Sequence, residues 1–537
     1  MKEPNIFCID FPERNKSVAL MTEVKIELLD EFKDELFNEL DKFSSKNSVH
    51  YADARIELSE AKAASCQNAD IKGAYEDYGI DLGVRVYVKG NGLLASGMAG
   101  TSMGIEQLKK EFKKTLNELL NSSLKKAKHS LIQKQKLKNS FSFLSSLKEN
   151  NFLETEVHKD TVKYEFKKNP RNISLDELIS LTQEQSKKVK EINGIASNVI
   201  GLSSGFERKL FASSEGALID QTWPLTEAFF FAVAKGKAME SYYESIGERL
   251  GLEVFDGVNG FRKSLDEFTS FIAEGTIELS NAKAVKEQKN TSIVTDAWFN
   301  SLLVHEICGH PIEADRALKR EAAWAGRAWW FNSIEDNMFG KKVASDLVTV
   351  FSDSSLEGYG KFKYDDEGTK ARKSINIKNG ILNEFLNSRE TAAILGQPAN
   401  SAVRATTASA VPLIRMTNTC FDKGKWNKDE IIQDTKEGYY LIGRKIPSIG
   451  ETRQNFKITC WKAYKIEKGE LTTLYRKGGL QADSFSYLSS IDAVGKDFGM
   501  FNVPNCGKGT PMQVMKLGNG SPTMRAIGRI TGGELFV

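Results

Sequence analysis

The spacing of hydrophobic residues in the first part of the chain predicts a helix followed by strands. Residues 21–46 repeat apolar positions at helical spacing, with acidic and basic residues between them. In residues 51–60 and 81–97 apolar and polar residues alternate instead, as they do along half-buried strands. A Gly-Asn-Gly sequence within the second of these segments is typical of a hairpin turn. We therefore expect a first module that combines a helix with a sheet.

The middle and the end of the chain carry two further patterns. Residues 174–177 (Ser-Leu-Asp-Glu) form a capping-box sequence, which predicts a helix that runs to about Glu191. Strand-like apolar segments follow over residues 195–236. From about residue 290 onward, one clear helix precedes many short apolar segments separated by glycine, which is typical of a mostly β domain.

These patterns together predict an α+β fold with more than one domain, because 537 residues exceed what a single hydrophobic core usually holds. We expect two N-terminal α/β modules, over residues 21–135 and 136–285. A β-rich C-terminal domain is expected over residues 286–537, and its clear helix carries the candidate metal motif described below.

Composition narrows the class of protein. The net charge is only +3, and the lysine-rich segment 105–140 lacks interleaved aromatic residues, so we expect neither nucleic acid nor a membrane as partner. No run approaches the roughly 20 apolar residues that span a bilayer. The six cysteines are scattered, which suits a reducing compartment. Residues 1–25 contain no apolar core of a signal peptide, and a cytoplasmic protein is predicted.

Candidate chemistry is concentrated in residues 295–315. Two of the five histidines, His305 and His310, stand there, and Glu306 follows the first of them directly. An imidazole ligand next to a carboxylate base is the arrangement of many zinc hydrolases. Asp296 is expected to cap the helix that contains this motif. The remaining histidines are expected to be ordinary surface or core residues: His50, His129 and His158.

The spacing of the motif, H-E-x-x-x-H, is one residue longer than the familiar H-E-x-x-H. In a regular helix, positions five apart diverge by roughly 140°, so the two imidazoles would not share a metal. Gly309 and Pro311 offer one solution, because they favour an end of the helix before His310. A π-helical widening of the turn offers another.

Residues 305–315, H-E-I-C-G-H-P-I-E-A-D, resemble the signature of the TldD/PmbA family of metallopeptidases. The resemblance extends from about residue 25 to the end and is strongest after residue 290. The combination of H-E-x-x-x-H with a distant N-C-G-K-G is specific, whereas either motif alone is weak. Other segments resemble further parts of the family in the same order: residues 51–57, 83–97, 316–326, 365–368, 415–419 and 505–509.

This resemblance implies that His305, His310 and the Cys506 thiolate bind Zn²⁺, with Glu306 as catalytic base. Two imidazoles and one thiolate leave a fourth tetrahedral position for water, whose pKa the zinc lowers. Glu306 is expected to accept the proton of that water as it attacks a peptide carbonyl. The chain thus resembles a zinc metallopeptidase of the H-E-x-x-x-H type, with the catalytic site in its C-terminal domain.

The family also implies a dimer that encloses its active sites and admits unfolded or extended peptides as substrates. The partner is expected to be a second copy or a related subunit. Members often pair with a subunit that lacks the histidines, so a chain that has them is expected to be the TldD-like catalytic subunit. The alternative is a non-catalytic subunit of a peptide-processing complex with a structural zinc, which would not need Glu306. A metal-independent scaffold would need neither Glu306 nor the three ligands.

Residues near the motif offer alternatives for the third ligand. Cys308 lies three residues after the first histidine, and Glu313 and Asp315 follow in the turn. We favour Cys506, because the glycines around it allow close approach to a metal and because the family matches there. Glu313 and Asp315 are then expected to hydrogen-bond the ligand imidazoles. Cys308 is expected to be a small core residue.

Three further segments lie outside the ligand set. Arg415 and Asn418 are expected either to position a substrate backbone or to satisfy buried carbonyls. The acidic residues 365–367 predict a turn rather than a second metal site. The tryptophans of residues 324–330 are expected to pack in a core or a dimer contact rather than to line a substrate channel.

Overall fold

The computed structural model describes residues 25–46, 49–140 and 152–532. Residues 1–24 and 533–537 lie outside the described residues. The prediction of no signal peptide and the predicted start of the first helix therefore fall outside them. Within the described part of the chain, no helix is both long and apolar enough to cross a membrane.

The N-terminal half contains long strands and the longest helices. Its elements are α1 (Lys33–Lys46), β1 (Tyr51–Gln67), β2 (Asp70–Gly90), β3 (Leu93–Ser102), α2 (Ile105–Ser140), β4 (Lys159–Lys163), α3 (Leu175–Lys190), β5 (Ile195–Ser213), β6 (Leu218–Lys235), β7 (Met239–Glu248) and α4 (Leu265–Asn281).

The C-terminal half contains shorter elements. They are β8 (Lys283–Ala284), β9 (Gln288–Thr295), α5 (Ala297–Val304), α6 (Ala314–Ala317), β10 (Val350–Ser352), β11 (Ser374–Lys378), β12 (Ile381–Leu382), α7 (Arg389–Leu395), β13 (Val403–Arg404), β14 (Leu413–Ile414), β15 (Asn418–Phe421), α8 (Lys428–Asp434), β16 (Glu437–Ile449), β17 (Asn455–Glu467), β18 (Glu470–Arg476), β19 (Gly478–Asp483), α9 (Ser484–Ser489), β20 (Ala493–Val494), β21 (Gly499–Lys508), β22 (Gln513–Ser521) and β23 (Met524–Gly532).

The local signals for α3 and for the hairpin are confirmed. Ser174 and Glu177 form the predicted capping box at the start of α3, in which the glutamate accepts the backbone N–H of Ser174 at 2.7 Å. Between β2 and β3, Asn91 and Gly92 have φ angles of 50° and 71°. Two consecutive positive φ angles match the twist of a tight hairpin, which explains the Asn-Gly pair.

Strands from both predicted N-terminal modules join one sheet. Its order is β3-β2-β1-β5-β6-β4, and β7 also pairs with β6. The modules meet where β1 pairs antiparallel with β5, with Asp53 opposite Ser213. The hydrogen bonding of the sheet thus runs continuously through the first two modules. The domain boundaries at residues 135/136 and 285/286 stay predictions.

Helices cover this sheet around two hydrophobic cores. In the first core, α1 and α2 pack against β1 to β3 through residues such as Leu36, Leu58 and Leu116. In the second, α3 and α4 pack on β5 to β7. This second core includes Trp298 and Trp461 of the C-terminal half, so it connects the N-terminal sheet to the helix that carries the metal motif.

The C-terminal half is built on two large sheets with α5 between them, and β13 and β14 form a small third sheet. In the first, β16, β9, β23, β19 and β17 pair in that order, and β17 pairs again with β16, which closes a ring of five strands. The second has the order β12-β11-β10-β15-β22-β21. Helix α5 contacts β16 of the ring as well as β15, β21 and β22 of the second sheet. A mixed α+β architecture with a β-rich C-terminal half is thus confirmed.

The short helices α6 to α9 come in addition to the one clear helix expected after residue 290. The longest of them has seven residues. Over such a length the apolar spacing spans at most two turns, so periodicity does not distinguish it from a short strand.

A buried carboxyl at the end of β7 predicts pH-dependent stability. Burial, and secondarily Glu357, raises the pKa of Glu248 to about 8. The pKa of glutamate in an unfolded chain is about 4.3, so the folded state binds this proton more tightly. The stability that the proton contributes is therefore lost as pH rises from about 4.3 through about 8. We expect Glu248→Gln to raise the unfolding temperature at pH 9 relative to wild type but not at pH 4. The exposed Glu31→Gln serves as control, and parallel curves for wild type and Glu248→Gln would contradict this assignment.

Candidate metal centre

The backbone of the motif forms a π-helical turn. Asp296 caps α5 by accepting the N–H of Phe299 at 2.7 Å. After α5 the helix widens over His305–Gly309, and the N–H of His310 donates to the carbonyl of His305 at 3.1 Å. His310 keeps helical angles (φ −65°, ψ −41°), so the helix does not end before it. Of the two solutions, π-helical widening is the one that the structure adopts.

This widened turn places residues five apart on the same side. The imidazole rings of His305 and His310 have centroids 4.7 Å apart and lie nearly perpendicular to each other, at 85°. Both side chains are buried. Two imidazoles at this separation are able to bind one metal ion, which a regular α-helix with the same spacing would not allow.

The third member of the cluster comes from the other end of the chain. Cys506 lies on β21 just after an irregularity in the pairing of β21 with β22, where the register shifts between Val503 and Cys506. Its Sγ lies 3.7 Å from Nε2 of His310. The potential ligand atoms of His305, His310 and Cys506 all lie within 4.8 Å of one another. This donor set is one that zinc takes when a fourth position stays open.

Hydrogen bonds fix which ring nitrogen faces the cluster. Nδ1 of His305 lies 3.0 Å from Oδ1 of Asn519, whose amide nitrogen donates to the carbonyl of Thr419. Nδ1 of His310 lies 3.1 Å from Oε2 of Glu313. Since both partners are acceptors, both Nδ1 atoms carry a proton and each Nε2 faces the cluster, where a metal would take the place of a second proton.

Charged residues surround Glu313 behind the imidazole. Its Oε2 accepts from Nε of Arg316 at 2.7 Å and lies 3.1 Å from Nζ of Lys508. Lys508 also forms an ion pair with Asp315 at 2.8 Å. Glu313 contacts the imidazole of His310 directly. Asp315 pairs with Lys508, which links it to Glu313. These cations hold the pKa of Glu313 well below its usual range, although burial alone would raise it.

The environment of Cys506 favours a thiolate. Burial alone would raise the pKa of its thiol, but the two imidazoles and Arg415 outweigh burial and hold that pKa well below its ordinary value. Cys308, the alternative from the same turn, is different. It packs in the hydrophobic core and lies outside the cluster, and burial raises the pKa of its thiol.

Glu306 lies on the wall of a cavity beside the cluster. Its Oε2 accepts from Nη1 of Arg453 at 2.5 Å. Arg453 stands in the turn between β16 and β17, with φ of 60°, and its guanidinium also donates to the carbonyls of Trp324 and Ala325. Burial would raise the pKa of Glu306, but Arg453 and the two histidines lower it below its ordinary value. The carboxyl is therefore ionised at neutral pH.

The cavity has a volume of about 540 Å³ and reaches all three cluster residues. Trp324, Ile449 and Met512 contribute apolar wall, and Arg453 and Lys445 contribute charge. Trp324 lines the cavity and is 60% exposed, so it does not pack in the core, and its predicted alternative, a dimer contact, stays a prediction. Trp330 follows the core prediction, since it is buried and donates to the carbonyl of Pro311 at 2.9 Å.

Other predicted residues lie away from the cavity. Arg415 donates to the backbone carbonyls of Cys506 and Gln513, and Asn418 donates to the carbonyl of Leu356. These contacts satisfy buried carbonyls, and those of Arg415 hold the strand that carries the cysteine.

The acidic segment 365–367 forms the predicted turn. Asp365 accepts the backbone N–H groups of Glu367 and Thr369 at 3.0 and 2.9 Å. Glu367 itself forms an ion pair with Arg85 at 3.0 Å. The carboxylates of Asp365 and Glu367 therefore already have hydrogen-bond or ion-pair partners within the protein.

Sequence patterns missed three residues of the site. Asn519 and Arg453 approach the motif from segments far away in sequence, and no spacing or motif marks them. Lys508 falls within residues 505–509, so the resemblance marked its segment without indicating its role.

Comparisons with known proteins cover most of the chain. The family model described as the PmbA/TldA metallopeptidase central domain matches residues 168–284, and that of the C-terminal domain matches residues 288–527. A protein of Methanocaldococcus jannaschii named metalloprotease is 28% identical over 486 residues, which cover 90% of this chain and 97% of that protein. A Saccharolobus solfataricus protein named zinc metalloprotease TldD homolog is 32% identical over 228 residues, 42% of this chain and 47% of that protein.

Solved structures share the fold. TldE from Thermococcus kodakarensis has a TM-score of 0.64 at 17% identity, and a Thermotoga maritima protein described as a putative modulator of a DNA gyrase has 0.68 at 14%. Each match covers 94% of this chain and 100% of the other. At these identities the likeness concerns the fold alone. The two family models and the relatives that match along its length show that this chain belongs to the TldD/PmbA family of metallopeptidases.

Proposed function

We propose that this chain is a zinc-dependent peptidase that hydrolyses unfolded or extended peptides. The observation that carries the proposal is a buried His-His-Cys cluster that opens on a cavity with an ionised glutamate on its wall. The names of relatives support it, since several are called metalloproteases and one a zinc metalloprotease. In this proposal His305, His310 and Cys506 hold the zinc.

The residues around the cluster have distinct roles in the proposed reaction. When bound, zinc supplies a Lewis acid that lowers the pKa of water and polarises a peptide carbonyl. Arg453 binds Oε2 of Glu306, which orients the carboxylate and leaves its other oxygen to take the proton of the water. Glu306 then returns this proton to the leaving amine. Asn519 and Glu313 keep the imidazoles in the tautomer that a metal ligand needs.

The alternative is a subunit with a structural zinc. Such a site needs four protein ligands or a closed environment, because a free position serves no purpose there. The cluster has three members among the described residues and borders a cavity of about 540 Å³, which favours the catalytic reading. We further propose that the chain works as a dimer, with itself or with a related subunit. Its structural likeness to a protein named TldE supports this.

The proposal is tested by metal content and by chelation. We expect the purified chain to contain about one zinc, and to cleave an unstructured peptide in a reaction that a chelator stops and added zinc restores. Cleavage is followed by mass spectrometry of the products. A chain that purifies without zinc and takes none up would contradict the proposal.

The hydrogen bond of Asn519 gives a quantitative prediction. Asn519→Ala removes the acceptor that orients His305, so we expect zinc affinity to fall about 10- to 100-fold, measured by competition with a chromogenic chelator. The control is Asn376→Ala, because Asn376 is equally buried but bonds Ser352 and the backbone of Glu384. Equal zinc affinity in the two variants would show that the contact of Asn519 with the imidazole does not matter.

A further inference from the structure

A second cavity, of about 100 Å³, lies between the N-terminal sheet and the C-terminal half. Strands β1, β5 and β6 of the sheet line it on one side, and residues of β13 and β22 line it on the other. It shares no lining residue with the cavity of the metal cluster. Thr406 and Val514, which are exposed, lie on its wall and connect it to solvent.

Charged side chains dominate the wall, and its carboxylates already have partners. Glu57 and Asp366 both pair with Lys209, at 3.0 and 3.2 Å. Glu207 accepts from Nε1 of Trp223 at 2.6 Å. The close contacts of these carboxylates are therefore with a lysine and an indole, although their charges also attract Arg249 from beyond ion-pair distance.

Two arginines of the wall form no close ion pair with a carboxylate within the described part of the chain. Arg404 is only 6% exposed. Its Nη2 donates to the carbonyl of Met416, but its Nε and Nη1 have no hydrogen-bond partner. Arg249 donates to the carbonyl of Lys361 at 2.5 Å, and its guanidinium stacks over the ring of Trp223 at 4.3 Å. Neither of these contacts neutralises a positive charge.

Leaving a guanidinium buried without a close counter-charge is energetically unfavourable. Burial, together with repulsion from Arg249 and Arg415, outweighs the attraction by Asp366 and lowers the pKa of Arg404 to about 9. An anion between the two guanidiniums removes this cost, because their N–H groups bind two oxygens of an oxyanion at once. Lys516, also on the wall, adds a third positive charge, although it pairs with Glu227 at 2.7 Å.

We propose that this cavity binds a small oxyanion, a free phosphate or a short carboxylate, between Arg404 and Arg249. The size fits such a ligand, since about 100 Å³ holds a tetrahedral or planar anion and not a peptide. The site does not depend on zinc or on peptide cleavage, so it stands independently of the proposed function.

Thermal unfolding of the full chain tests the site. In a buffer free of oxyanions, we expect millimolar sodium phosphate or sodium acetate to raise the unfolding temperature by a few degrees with saturation, whereas sodium chloride at equal ionic strength does not. A shift with phosphate alone assigns a tetrahedral anion, and a shift with acetate alone assigns a carboxylate. The same shift must appear in chelated, zinc-free protein, because the two cavities share no residue. An effect of both salts no larger than that of chloride would overturn the proposal.

Variants locate the effect. Arg404→Met is expected to abolish the anion-dependent shift, and Arg249→Met carries the same test if the first variant does not fold. Arg525→Met is the control, since this arginine already pairs with Asp434 and Asp492 and should keep the full shift. A full shift in both Arg404→Met and Arg249→Met would place the anion elsewhere and overturn the proposal.

Discussion

Glu306→Gln is expected to abolish peptide cleavage while the chain keeps its zinc. Glutamine has nearly the same shape and still accepts the hydrogen bond of Arg453, but it does not take up the proton of the attacking water. Loss of a general base costs about 10²- to 10⁴-fold in rate, so we expect kcat to fall by at least that factor. Zinc content is measured by atomic emission, and cleavage by mass spectrometry on the same samples.

Glu451→Gln is the matched control for this experiment. Glu451 lies in the same turn as Arg453, pairs with Arg327 at 3.2 Å and is exposed. It should keep both zinc and full activity. If Glu306→Gln cleaves as fast as Glu451→Gln, Glu306 is not the base, and a structural role of the zinc becomes the better explanation. Loss of zinc in Glu306→Gln would instead show that this residue supports the site and not the proton transfer.

The second large effect is expected from the cysteines. Cys506→Ala removes the proposed thiolate ligand, and we expect zinc affinity to fall by more than the roughly 100-fold that loss of a residue behind a ligand costs. Cleavage should be lost with the metal. Affinity is measured by competition with a chelator of known strength, at constant pH because thiolate ligands compete with protons.

Cys308→Ala provides the contrast within the same experiment. Cys308 belongs to the π-helical turn and is fully buried, yet its thiol packs in the core and lies outside the cluster. We expect this variant to bind zinc like wild type, with a modestly lower unfolding temperature from the lost packing. If Cys308→Ala loses zinc and Cys506→Ala keeps it, the two cysteines have been assigned the wrong way round.

The sequence predicted the parts of the site that are close together along the chain. His305, Glu306 and His310 stand within six positions, and the elongated spacing required either a helix end or a wider turn. The structure has the wider turn. Periodicity did not decide between the two, because glycine and proline at this point are compatible with both.

Long-range contacts account for what the sequence did not predict. Asn519 reaches His305 because β22 packs beside α5, and Arg453 reaches Glu306 because the turn after β16 closes over the cavity. The shared N-terminal sheet depends in the same way on the pairing of β1 with β5. Side-chain alternation predicts each strand but does not specify its neighbour, so two apparent modules turn out to share one sheet.

The ring of five strands and the second sheet place the proposed ligands on different supports. Both histidines belong to the π-helical turn at the end of α5, the helix that follows β9, and β9 is hydrogen-bonded on either side within the ring. Cys506 lies on β21, an edge strand of the other sheet. A metal held by all three would therefore add a crosslink between the two sheets to the hydrogen bond that already joins His305 to Asn519 of β22, and its removal should loosen the edge strand first. Amide exchange that becomes faster in β21 than in β9 after removal of the metal would show this loosening.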